Sequence, residues 1–117
     1  MPIYNAPTRD MKFVMQEMLD VGELTKYECF SEADTDTLDA IIEQSSKFST
    51  EVLFPLNIVG DEEGCTRNDD GTVTVPTGFP EAYKQVVESG MMALSSNPEY
   101  GGMGCLLYTS PSPRDRG

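Results

Sequence analysis

Three groups of residues in this sequence have chemistry beyond packing: its acidic side chains, its three cysteines and a run of glycines just past residue 100. Carboxylates act as bases or metal ligands when several converge, and Asn68-Asp69-Asp70-Gly71 invites comparison with a calcium loop. With Gly71 at the sixth position of such a loop, Thr66 would be the first ligand and Thr77 the twelfth. Neither is a carboxylate, so the calcium reading fails. Asp61-Glu62-Glu63 reads as a solvated acidic turn. Cys29, Cys65 and Cys105 are odd in number and far apart. That spacing fits free thiols, small and buried or half-buried, in a reducing compartment rather than a disulfide framework. The chain has no histidine, which removes serine–histidine triads and most zinc sites. No CxxC pair or P-loop occurs, and Gly101-Gly102-Met103-Gly104 has the wrong spacing for a dinucleotide fingerprint. These residues alone define no catalytic, cofactor-binding or metal site.

Net charge narrows the partners. At −12 with eight scattered basic residues, the chain lacks the clustered Lys and Arg that phosphate backbones require. Nucleic acid is therefore not an expected partner, and an anionic membrane surface is disfavoured for the same reason. Arg9, Asp10, Lys12, Glu17 and Asp20 break up the first twenty residues, so no secretory leader is expected there. No apolar run approaches the length of a membrane span. The compartment these features point to is the cytoplasm. A length of 117 residues suits one small domain with a modest core and little surplus for enclosing a large cofactor.

The elements that would position any site are mostly helical. Met11, Val14, Met15, Met18 and Leu19 recur at one face of a 3.6-residue period, with Thr8 as a cap and Gly22 as a stop. Core packing is the expected use of that methionine-rich stripe, ahead of an adaptable peptide-binding surface. Residues 25–34 read as a polar connection. Asp34 or Thr35 then caps a longer helix whose apolar face runs through Leu38, Ile41, Ile42, Phe48, Val52, Leu53 and Leu56. Pro55 should kink or end it. Asp70-Gly71 between Cys65-Thr66-Arg67 and Thr72-Val73-Thr74-Val75 predicts a short β-hairpin. Such a hairpin is marginal alone and should pack on the helices. Pro80 suits the first turn of a third helix with Tyr83, Val86 and Val87 on its apolar face and Gly90 as its stop. Ser95 to Gly104 is a turn-rich loop. Residues 105–117 change character: two prolines and two arginines against one aspartate, without periodicity. They read as a foreign or disordered tail after a domain spanning 1–104.

In their order these segments resemble the N-terminal region of acyl-CoA dehydrogenases. The resembling stretches are Met1-Pro2-Ile3-Tyr4-Asn5-Ala6-Pro7, Phe54-Pro55-Leu56-Asn57, Val59-Gly60-Asp61-Glu62-Glu63-Gly64-Cys65 and Pro76-Thr77-Gly78-Phe79 with Ala82-Tyr83. Pro98-Glu99-Tyr100-Gly101-Gly102-Met103-Gly104 closes the series. The last is typical of the family broadly. The lead and the Gly-Asp-Glu-Glu-Gly-Cys segment are most similar to the 3-methylmercaptopropionyl-CoA dehydrogenase branch. One departure is Ser89-Gly90-Met91-Met92, where many relatives carry an aromatic after the glycine.

The resemblance implies an all-α N-terminal domain with a small hairpin insertion, followed in the parent by a β-domain and a helical C-terminal domain. It implies FAD between those two, a homo-oligomer, and α,β-dehydrogenation of an acyl-CoA thioester. A glutamate would take the α-proton while a hydride leaves for the flavin, and electrons would pass to an electron-transferring flavoprotein or similar acceptor. On this reading the present stretch lacks the base and most flavin contacts and is inactive alone. Tyr100, Gly101 and Gly102 would lie on a loop framing the acyl side, or serve as a structural turn. Two other readings stay open: a free-standing acidic helical interaction module, and a non-catalytic homologue that keeps the fold for binding.

Overall fold

A computed structural model describes residues 3–104. Helix α1, Thr8–Lys12, runs without a break into a π-helical turn, Phe13–Met18. Thr8 is not its cap. Pro7 precedes the helix and gives it no side-chain hydrogen bond. The helix also ends earlier than Gly22, at Leu19, because Asp20 takes a positive φ of 47°. Gly22 sits inside a following 3₁₀ helix, Val21–Lys26, and a second one covers Glu28–Phe30.

The π turn also undoes the expected stripe. Its bonds reach five residues back, as from the Leu19 N–H to the Val14 carbonyl at 3.0 Å, and wind the chain more loosely than 3.6 residues per turn. Side chains that share a face in an ideal α-helix then fan out. Met11, Val14, Met18 and Leu19 are exposed, Met18 at 64%. Only Met15 of the stripe packs against the core cluster. The core assignment for the stripe is thus corrected.

Helix α2, Thr35–Phe48, begins as expected: the Asp34 carboxylate accepts the Thr37 N–H at 2.7 Å. It does not end at Pro55. A second π turn, Ser49–Leu53, leads directly into α3, Phe54–Glu63, in which Pro55 occupies the first turn. A proline there forfeits little, because the change of hydrogen-bond register just before it already disrupts the regular ladder. Consequently Asp61-Glu62-Glu63 is the last turn of a helix rather than a loop, and Gly64 at φ 62° ends it.

Strands β1, Thr66–Arg67, and β2, Val73–Thr74, pair antiparallel with Thr66 opposite Thr74 and Arg67 opposite Val73. The loop between them closes through Asn68 N–H to the Thr72 carbonyl at 2.9 Å and Gly71 N–H to the Asn68 carbonyl at 3.0 Å. Gly71 supplies the left-handed residue, φ 84°, that such short loops need. Contrary to expectation the hairpin does not pack on the helices; both strands are exposed. Its base is tied instead by the Glu63 carboxylate, which accepts the Thr77 N–H at 2.7 Å.

Helix α4, Phe79–Ser89, starts with Pro80 in its first turn and stops at Gly90, φ 72°, as its sequence predicts. It approaches α3 closely, since a Cβ on Gly60 would lie 2.8 Å from the Phe79 ring. Ala82 is buried, whereas Tyr83 and Val87 of the expected apolar face are exposed. Val21, Ala33, Leu38, Ile42 and Ala82 are buried, as is Pro76 just after the hairpin. Val21 and Leu38, at 3% and 4% exposure, form a cluster with Met15, Leu24 and Phe30 around them. The stretch read as a polar connection therefore supplies Phe30 and Ala33 to the interior. Ahead of α1, Tyr4 lies against Phe54 of α3, ring centroids 5.9 Å apart.

Candidate functional site

The segment that follows α4 is the place where sequence and structure converge on a site. Gly90 ends the helix in a left-handed conformation, a 3₁₀ turn covers Met91–Ala93, and a second covers Pro98–Tyr100. Asn97 organises the loop. Its side chain accepts the Glu99 N–H at 2.9 Å, and its carbonyl accepts the N–H groups of Tyr100 and Gly102 at 2.9 and 3.1 Å. The Met103 N–H returns to the Ala93 carbonyl at 3.1 Å and the Gly104 N–H to that of Ser96 at 2.9 Å. Each glycine of the pair has its own reason. Gly101 adopts φ 82°, and a Cβ on Gly102 would collide with the Ser96 carbonyl.

This closed loop faces the 3₁₀ turn at Glu28–Phe30 across a cleft of about 550 Å³. Phe30, Ser31, Asn97, Pro98 and Met103 line it, with Glu28 and Glu32 as its charged groups. Tyr100, Gly101 and Gly102 are not in its wall, and Tyr100 stands 84% exposed. The structure thus gathers the flanks of the glycine motif into a cleft and leaves the motif's centre outside. Asn97 and Phe30 were missed by sequence reasoning. Asn97 precedes a proline and could have been found as a cap; nothing local marks Phe30.

A second groove, about 360 Å³ and open to solvent, lies between α3 and α4. Leu53, Leu56, Phe79, Tyr83 and Val86 line it with Ala82, and Asn57 is its single polar residue.

Electrostatics sets limits on both. Neither wall carries a basic side chain, so neither offers a side-chain cation to a phosphate group. No polar or charged side chain is buried among the described residues, and a base tuned by desolvation is not found there. The perturbed carboxylates are structural: donors on Thr37, its side chain first and then its backbone, hold Asp34 below the ordinary aspartate value, and Thr72 does the same for Asp70. Among the described residues no cluster of His, Cys, Asp and Glu could hold a metal ion. Cys29 and Cys65 are free and exposed, not buried or half-buried as their residue type predicts; Cys105 and the rest of the expected tail lie outside the described residues.

No family profile matches the chain. Curated relatives do. It is 36% identical over 101 residues to 3-methylmercaptopropionyl-CoA dehydrogenase of Ruegeria pomeroyi, covering 86% of this chain and 17% of that enzyme. It is 30% identical over 106 residues to a butyryl-CoA dehydrogenase of Syntrophomonas wolfei, covering 88% of this chain and 17% of the relative. A helical chain with one small hairpin and this resemblance along most of its length belongs to the acyl-CoA dehydrogenase family, as a stretch of its N-terminal helical domain. It spans about a sixth of the length of the relatives it matches.

Proposed function

We propose that the chain is the helical N-terminal part of a FAD-dependent enzyme that introduces an α,β double bond into an acyl-CoA thioester. The observation that carries this reading is the 36% identity across 86% of the chain to an enzyme of that type. 3-Methylmercaptopropionyl-CoA is the first substrate to try, because its dehydrogenase is more similar to this chain than the butyryl-CoA enzyme is. An electron-transferring flavoprotein or similar acceptor, a homo-oligomeric assembly and a cytoplasmic setting come with the same reading; no helix among the described residues is long and apolar enough to cross a membrane.

The domain unit in this proposal is 1–104, with 105–117 foreign to it and Tyr100, Gly101 and Gly102 on the substrate side. The chain by itself binds no FAD and has no dehydrogenase activity. That part of the reading rests on coverage, the chain spanning 17% of the length of the enzyme it resembles. A free-standing interaction module is the second reading, favoured by the exposed apolar side chains of α1 and its π turn.

The test extends the source gene in frame past residue 104 and purifies both proteins. The longer product should show a flavin absorbance band and bleach it with 3-methylmercaptopropionyl-CoA or butyryl-CoA, while the 117-residue chain shows none. A flavin band on the short chain overturns its assigned inactivity. A long product without flavin, or with flavin that no acyl-CoA reduces, overturns the enzyme reading and leaves the interaction module.

A further inference from the structure

α1 and its π turn contribute no buried residue to the fold. Their apolar side chains face solvent except Met15, which touches the Val21–Leu38 cluster. Apart from Met15, what joins them to α2 is polar. Lys12 Nζ donates to Glu43 Oε1 at 2.7 Å and lies 3.5 Å from Asp39 Oδ2. One turn further on, Gln16 Nε2 donates to Asp39 Oδ1 at 2.5 Å. Asp39 and Glu43 are four residues apart on one face of α2, so a single lysine bridges both while the amide secures the nearer one.

We propose that α1 with its π turn is a detachable strap, held to α2 by the Lys12–Asp39–Glu43 clasp and released by salt while α2 and α3 stay folded. An apolar seam would tighten or stay unchanged as salt rises, but an exposed ion pair weakens as the screening length shortens from about 30 Å at 10 mM to about 3 Å at 1 M. The π turn suits this role, because its looser ladder is itself a weak point in a helix. Release would uncover the Met15 side of the Val21–Leu38 cluster, so the strap also governs access to the most buried apolar side chains of the described chain.

Amide hydrogen exchange on the 117-residue chain tests it, since exchange reads local opening segment by segment. Going from low to high salt should speed exchange across residues 12–19 by roughly threefold or more while residues 38–48 change less. Lys12→Glu should produce the same selective release at low salt, and Lys12→Glu combined with Glu43→Lys and Asp39→Asn should restore protection. Equal exchange of the two segments at both salt concentrations overturns the proposal. So does a Lys12→Glu chain that loses protection in α2 as well, because the clasp would then belong to the cooperative core. Failure of the charge swap to restore protection counts against it equally.

Discussion

Gly102 shows how a motif can be required for reasons unconnected with ligands. Its bare Cα lies against the Ser96 carbonyl, and its N–H is bonded to Asn97. Gly101 beside it needs the left-handed region. Together the two glycines turn the chain so that Tyr100 projects outward and Met103 turns back toward Ala93. A methyl group at position 102 must push the Ser96–Asn97 backbone away, an overpacking cost of about 1–3 kcal/mol. Gly102→Ala should therefore reduce exchange protection of the Gly102 and Gly104 amides by roughly five- to a hundredfold, with α2 unaffected. Unchanged protection of both amides would mean the loop is not closed in the way described.

At the scale of elements, the ends of helices are where charge and hydrogen bonding decide the outcome. Asp34 caps α2, and Asp70 ties Thr72 inside the hairpin loop through both its N–H and its hydroxyl, at 2.9 and 2.6 Å. Both carboxyls are held below their ordinary value of 3.8. A group whose folded-state value is depressed stabilises the fold fully above its unfolded value and loses that contribution as pH falls through the folded one. Helical circular dichroism should thus fall as the solution is acidified below about 3.8, and Asp34→Ala should lower helicity at neutral pH while removing part of the acid step. An acid step of equal size in Asp34→Ala would show that the cap is not its source. Lys12 has the opposite sign: Glu43 as hydrogen-bond acceptor, then the Asp39 and Glu43 charges, raise it against desolvation, so the clasp persists well into alkaline solution.

At the scale of the whole molecule, the interior formed by the described residues is thin. Few apolar side chains are buried among the described residues, and none is completely enclosed. Meanwhile Tyr83, Leu53 and Phe79 remain exposed in the wall of the α3–α4 groove. Contiguous apolar surface of this kind favours self-association, and a core of small separate clusters gives little cooperativity. Calorimetry should record a broad, weak unfolding transition, and sedimentation velocity should show species heavier than a monomer that grow with concentration. A sharp two-state melt of a strictly monomeric chain would contradict this account of the core.

Local chemistry settled a great deal in the sequence alone. The Asp34 cap, the Asp70-Gly71 hairpin and the Pro80 start and Gly90 stop of α4 all depend on a few neighbouring residues, so they are legible without knowledge of the fold. The order of segments likewise carried the family. What local rules could not reach was register and burial. Two π turns shifted the hydrogen bonding of otherwise regular helices, which scattered the Met11–Leu19 stripe and carried one helix through Pro55. Burial of Ala33 and partial burial of Phe30 in a stretch read as polar depend on which distant face lies opposite, as does the placing of Tyr100 outside the cleft its neighbours line. Propensity and periodicity act within a few turns of chain. The packing of α1, the 28–33 segment and the 95–104 loop is decided between residues far apart in sequence, and only tertiary structure brings those together.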